Sequence, residues 1–260
     1  MDYACQAGIG PQARRREYDR PVAAPNHAEH EPGLRRLAIA GVWLAGMVAV
    51  PASIAFIAAF GWDLEAAISG NPSAIIDGGP THAALFRWGA IGDMFFSYLL
   101  LVPLAMYLHA RLRPRKPWLA DLGALGAFAY IFAGGAGAAI LAASGPPLIE
   151  AYVTAGPSER VAILSSFESL RNMVFLGLWQ TLDVITLGVW VLSVGWLIRP
   201  HRRALGALLV ALGVGTMTVS VLTPLGVPGL IKVGVAWGLP ALGWATWLIV
   251  ERVDPAQRAD

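Results

Sequence analysis

Asp93 and Asp183 are the residues of this chain whose type and setting could do chemistry. Asp183 interrupts the apolar run SLRNMVFLGLWQTLDVITLGVWVLSVGWL at 169–197. It stands about 15 Å of helical rise from Asn172, where the apolar residues begin. A carboxylate at the centre of a membrane helix disfavours insertion by about 2.5–3.5 kcal/mol, so such a group faces a bundle interior or a wet cavity and has a partner. At about 100° per residue, Asn172, Trp179, Asp183, Thr186 and Trp190 share one stripe, with Gln180 at its edge. That helix therefore has a polar side. Asp93 shares a face with Ser97 in a second apolar segment.

Carboxylates so placed can bind a cation, an amine or protons, or one of them can serve as a general acid toward an alkene. The ligand-binding candidates are Asp93, Asp183, Gln180, Arg87, Arg171, Asn172 and Lys232, which fall in one layer in the outer half or near the midplane of their helices. Asp93 and Asp183 are the catalytic candidates if the chain is an enzyme. Each residue also has a plainer role. Arg87 and Arg171 start helices and can mark the outer interface, and Lys232, about 5 Å down, can snorkel outward. Asp183 paired with Lys232, or Asp93 with Arg171, would be structural ion pairs. His109 reads as interfacial, Asp121 as a helix-start acid, and the glycine stripes as packing surfaces.

Other chemistry lacks its residues. The chain has no HxxxH, HExxH, DxxxD or GxSxG pattern, so metal-assisted prenyl, protease or serine-hydrolase chemistry has no ligands or nucleophile, and no metal or cofactor is expected. The single Cys5 excludes an intrachain disulfide and a cysteine-based cluster. The tail segment HAEHE (His27, Glu29, His30, Glu31) is given no role.

The elements that position the acids follow from composition. Hydrophobic residues make up 56% and charged residues 14%, far from the roughly one quarter charged of a soluble domain, so the chain reads as an all-α membrane protein. The arginines sit in short clusters between apolar runs, which leaves no basic face for nucleic acid. Residues 1–36 are expected to be a disordered tail, 37–250 a six-helix transmembrane domain and 251–260 a second short tail. The six spans are expected at 37–60, 84–109, 119–143, 169–197, 204–225 and 229–250, the last bent at Pro240. The loop at 61–81 is acidic, with Asp63, Glu65 and Asp77. In the loop at 145–171, PSERVAILSSFESLR places Pro157 and Glu159 in a first helical turn and Val161, Leu164, Phe167 and Leu170 along one edge. That pattern predicts an amphipathic helix on the outer membrane surface.

Lys and Arg cluster before span one, between spans two and three, and between spans four and five, which puts both termini in the cytoplasm. Trp118, Trp196 and Trp247 would then lie near the inner interface, and Trp62 and Trp88 near the outer one. A weak internal repeat aligns Arg113-Pro114 with Arg199-Pro200 and the LGAL at Leu122 with that at Leu205. Either a duplicated hairpin or the chance recurrence of turn residues in this composition accounts for it. The Arg-, Ala- and Gly-rich composition points to a GC-rich bacterial genome.

The layout RRLAIAGVWLAG, then a long loop, LFRWGAIGDMFFSYLLLVPLAMYLHARLRP, and FLGLWQTLDVITLGVWVLSVGWLIRPHRRALGALLVALGVG resembles the bacterial family called domain of unknown function 4386. There an apolar "FR…aD" segment opens the second span, matched by Phe86, Arg87 and Asp93, and a Gly-rich fourth span leads into an LG-rich fifth, matched by Gly177 to Gly215. The resemblance covers roughly 35–250 and implies a six-span bacterial membrane architecture, with no activity attached. The long tail and Asp183 depart from the pattern.

Three functions follow from the residues. The first is binding or transport of a small molecule or ion through a polar site in the outer half of the bundle, in the plasma membrane. The second is a membrane enzyme acting on a lipid or isoprenoid by acid catalysis, in the manner of membrane-bound terpene cyclases. The third is a structural or regulatory membrane partner whose buried charges pair internally or with another subunit.

Overall fold

The computed structural model describes residues 27–222. The expected sixth span with Pro240 and Trp247, Lys232, and residues 1–26 of the expected tail lie outside the described residues. Helix α1 (His27–Ala59) begins inside the stretch expected to be a polar tail. Gly61 and Trp62, with φ of 64° and 68°, then turn the chain. Trp62 is the one non-glycine residue in the left-handed region among the described residues, and its indole is exposed.

The acidic loop that follows is ordered by its own side chains. Asp63 accepts from the Ala66 N–H at 3.0 Å and caps α2 (Leu64–Ser69), while Gly70 closes it in the left-handed conformation. Two 3₁₀ turns lead to α3 (Gly79–Asp93). A single uniform helix was expected to continue. Instead α3 passes into a π-helical turn (Met94–Tyr98), a 3₁₀ turn (Leu99–Leu101) and α4 (Val102–Leu112). Pro103 supplies part of the reason, since its ring and missing N–H prevent an ordinary α-turn back to Leu99.

Helix α5 (Pro117–Thr154) is longer than the expected third span and continues through Pro146 and Pro147. A loop is expected from 145, yet Gly145 and Pro146 are buried, and a side chain at 145 would collide with the Phe86 ring. Packing holds the helix past its breakers. Helix α6 (Pro157–Arg171) forms where the amphipathic helix is expected. Of its predicted apolar edge, Phe167 and Leu170 are buried, whereas Val161 is 71% exposed. It does not end before the next segment. A π-helix (Asn172–Asp183) and α7 (Val184–Ile198) continue from it without a break, and α8 (Arg203–Leu222) follows a short turn.

Among the described residues, five stretches are long and apolar enough to cross a membrane: Pro32–Ala59, Pro72–Leu112, Pro117–Thr154, Pro157–Ile198 and Arg203–Leu222. Their outer faces bear Phe132 at 79% exposure, Leu125 at 67% and Met47 at 63%. Such a surface is costly in water and suits an apolar solvent. There, close van der Waals packing rather than water exclusion holds helices together. Glycines provide it. A Cβ on Gly126 would lie 2.9 Å from the Thr186 carbonyl oxygen and the Trp190 nitrogen, so α5 and α7 meet backbone to backbone.

The buried side chains form two clusters toward opposite ends of the helices. One gathers Leu104, Leu108, Ile131, Trp190, Val194 and Leu197. The other gathers Phe60, Phe86, Leu141, Ile149, Phe167 and Phe175. Tyr98 belongs to the first cluster and Trp179 packs on the second, so the polar residues described next lie between two apolar layers.

Candidate functional site

Asp93 ends α3 at the first residue before the π turn, and Asp183 ends the long π-helix. Ser97, four residues on from Asp93, donates its hydroxyl to Asp93 Oδ1 at 2.7 Å. Tyr98 ends the same π turn and donates its hydroxyl to Asp183 Oδ2 at 3.0 Å. Two acids far apart in sequence thus each take a hydroxyl from neighbouring residues of one π turn, Asp93 from Ser97 and Asp183 from Tyr98. Each lies within electrostatic reach of the other and of the Tyr98 and Tyr130 hydroxyls.

The walls of this cluster are aromatic. Tyr98 and Tyr130 stand with ring centroids 5.1 Å apart, and Tyr130 is 6.3 Å from Trp190. Trp179 donates its indole N–H to the Gly134 carbonyl at 3.1 Å. A Cβ on Gly134 would fall on the Tyr98 ring, and one on Gly137 would lie 2.7 Å from Trp179 Nε1. The small residues of α5 are therefore the space into which the site's aromatic side chains fit. Ser220 of α8 donates to the Thr181 carbonyl at 2.6 Å and Thr181 donates to the Leu176 carbonyl at 2.7 Å, which occupies carbonyls beside Asp183.

One polar atom in this cluster is left over. Asp183 is 4% exposed, and its Oδ1 has no hydrogen-bond partner among the described residues, while the carboxyl group also feels the adjacent Val184 N–H. No Lys, Arg or His stands at ion-pair distance from Asp93 or Asp183 among the described residues. Two carboxyl groups within electrostatic reach in apolar surroundings require compensating positive charge, supplied by a proton or a cation. The arrangement offers acceptors and calls for a donor.

The other predicted site residues divide into separate groups. Arg87 is exposed, 3.9 Å from Glu150 Oε1. The expected Asp93–Arg171 pair is not formed. Arg171 donates from Nε to the Ser69 carbonyl at 2.7 Å and from Nη1 to Asn172 Oδ1 at 3.3 Å, because the C-terminus of α2 presents its free carbonyls there. Gln180 donates to the Ile68 carbonyl at 3.3 Å from the same direction, and its buried Oε1 has no hydrogen-bond partner among the described residues. Arg171 and Gln180 thus fasten α2 to the π-helix. The proposed Asp183–Lys232 pair lies outside the described residues.

His109 does more than mark an interface, since its Nε2 lies 2.8 Å from Asp121 Oδ1, which also takes Arg113 Nε at 3.2 Å. A groove of about 540 Å³ at the α5–α6 turn is lined by Tyr152, Pro157, Arg160 and Leu164, on a different part of the chain from the acids. Its Arg160 is occupied by the Ala155 and Val153 carbonyls. Among the described residues no three His, Cys, Asp or Glu gather in a metal-binding arrangement.

Sequence reasoning passed over Tyr98, although a lone tyrosine five residues beyond a buried acid in an apolar run was a visible signal. A family model described as a domain of unknown function (DUF4386) matches residues 40–251. No curated protein and no solved structure matches the chain significantly.

Proposed function

Because the chain belongs to the DUF4386 family, whose description carries no activity, we propose its function from the site alone: a membrane protein that binds or transports a small molecule or ion at the Asp93–Tyr98–Asp183 cluster, with a proton or small cation as the coupled species. The observation that carries this reading is the buried Asp183 Oδ1, within electrostatic reach of a second acid and without a hydrogen-bond partner among the described residues. A scaffold contact needs no spare acceptor. A site that exchanges a positive species does. Both acids adjoin π-helical turns, a distortion concentrated at functional sites because it unsettles regular hydrogen bonding. Acid catalysis on a lipid is the alternative use of the same carboxyl pair.

The wider frame of this reading is a six-span protein of the bacterial plasma membrane, with both termini cytoplasmic and α6 lying at the outer interface. Charge placement supports the orientation, and the five apolar helices support the embedding. Cys5, the sole cysteine, provides a native reporter. In intact cells whose outer envelope has been opened, a membrane-impermeant maleimide is expected to leave Cys5 unmodified until the cytoplasmic membrane is permeabilised. Labelling before permeabilisation would reverse the topology.

Dicyclohexylcarbodiimide, which modifies protonated carboxyl groups in apolar surroundings, tests the site. The full chain in liposomes is expected to take up the reagent at Asp93 or Asp183, located by peptide mass spectrometry, and to lose that adduct in the corresponding Asn variant. Reaction confined to Glu65, Asp77 and other exposed acids would remove the proposed site.

A further inference from the structure

A second polar region, independent of the acid pair, lies at the end of the bundle where α4 meets α5 and α7 meets α8. Arg115 donates from Nη1 to the Leu197 carbonyl at 3.2 Å, which sets the turn after α4 beside the turn after α7. Both turns are built alike, with Arg113 and Arg199 closing their helices on the His109 and Gly195 carbonyls. The result is a concentration of positive charge with little to offset it among the described residues. Asp121 is taken by His109 and Arg113, and Arg111 and Arg202 are engaged in other contacts. Lys116, Arg199 and Arg203 are exposed, with no acid at ion-pair distance among the described residues. Partial burial, and after it the neighbouring Arg111 charge, hold the Arg115 guanidinium below its usual range.

An apolar strip leads away from these cations. Trp118, Leu122 and Leu125 follow one another at helical spacing on α5 and are 67%, 43% and 67% exposed. Trp196, also exposed, stacks beneath the Arg199 guanidinium at 6.0 Å. Aromatic side chains between cations and a greasy helix face are what a boundary between headgroups and hydrocarbon selects. A soluble anion would use the charges and ignore the strip. An amphiphile carrying a negative headgroup would use both.

We propose that the two basic turns bind the headgroup phosphate of an anionic glycerophospholipid, with Lys116, Arg199 and Arg203 around the phosphate and an acyl chain along Trp118, Leu122 and Leu125. Exposed cations at a bilayer surface each strengthen attraction to anionic lipid by about 1 kcal/mol, or about fivefold. The proposal requires only that this end of the bundle sit at a membrane surface and does not depend on the acid pair.

Fluorescently tagged phosphatidylglycerol and phosphatidylcholine, titrated into the full chain in a neutral detergent and read by anisotropy, test it. The wild type is expected to prefer phosphatidylglycerol. Neutralising Lys116→Gln, Arg199→Gln and Arg203→Gln together is expected to weaken phosphatidylglycerol by about a hundredfold, at about fivefold per cation, and to leave phosphatidylcholine unchanged. The charge-keeping set Lys116→Arg, Arg199→Lys and Arg203→Lys is expected to retain the preference. Equal affinity of the wild type for the two lipids would overturn the proposal without any variant having to fold. So would full displacement of phosphatidylglycerol by millimolar inorganic phosphate, which would mark a soluble-anion site.

Discussion

Replacing Asp183 by Asn is expected to leave the protein inserted and monodisperse while abolishing proton-linked activity. Asparagine keeps the size of the side chain, and its Oδ1 can still accept the Tyr98 hydroxyl that Asp183 Oδ2 now accepts at 3.0 Å. What it loses is the ability to bind and release a proton or to hold a cation at the second oxygen, which has no hydrogen-bond partner among the described residues. In liposomes loaded with a pH-sensitive dye and challenged with a pH gradient, with candidate substrates added in turn, flux that depends on the wild-type protein is expected to fall to the level of empty liposomes. Asp183→Ala separates the site from the scaffold. It strands the Tyr98 hydroxyl in a buried position, at a cost of roughly 1–3 kcal/mol, and is expected to lower the amount of folded protein. If the Asn variant kept full flux and the Ala variant only lowered yield, the acid would be structural and the transport reading would be lost.

A second large effect is expected at Gly134. Any side chain there collides with the Tyr98 ring, so Gly134→Val forces the tyrosine out of the position from which it reaches Asp183 and stacks on Tyr130. Overpacking costs roughly 1–3 kcal/mol and the abandoned hydrogen bond at Asp183 a further 1–3 kcal/mol, so roughly 2–6 kcal/mol in all. The neighbouring glycine provides the control. A Cβ on Gly135 would stand 3.7 Å from the Tyr98 Cβ, an ordinary contact, and Gly135→Ala is expected to change the melting temperature in detergent by only a few degrees. Equal tolerance of both substitutions would mean that Tyr98 is not held where the structure places it.

How much of this could be read from sequence depended on whether the backbone kept a regular period. The four-residue spacing of Asp93 and Ser97 puts them on one helical face, and the two side chains bond at 2.7 Å. The stripe through Trp179, Asp183 and Trp190 likewise faces the bundle, where Trp179 reaches Gly134 and Trp190 reaches Tyr130. Tyr98 escaped because five residues of α-helix would carry it to the far side from Asp93, and the π turn at Met94–Tyr98 undoes that rotation. Arg171 was matched to Asp93 on depth and charge alone. The carbonyls of Ile68 and Ser69, invisible in a side-chain pattern, attract Gln180 and Arg171 instead. Pro146-Pro147 carried a strong local stop signal that close packing of Gly145 beneath Phe86 overrode.

The electrostatic coupling of the two acids is tested most directly by the pH dependence of carbodiimide modification at Asp183, followed by mass spectrometry in the wild type and in Asp93→Asn. If the acids share one buried cluster, the protonation of Asp183 depends on the charge of Asp93, and the profile at Asp183 must shift when Asp93 is neutralised. Superimposable profiles in the two proteins would show that Asp93 and Asp183 titrate as strangers and would contradict the site.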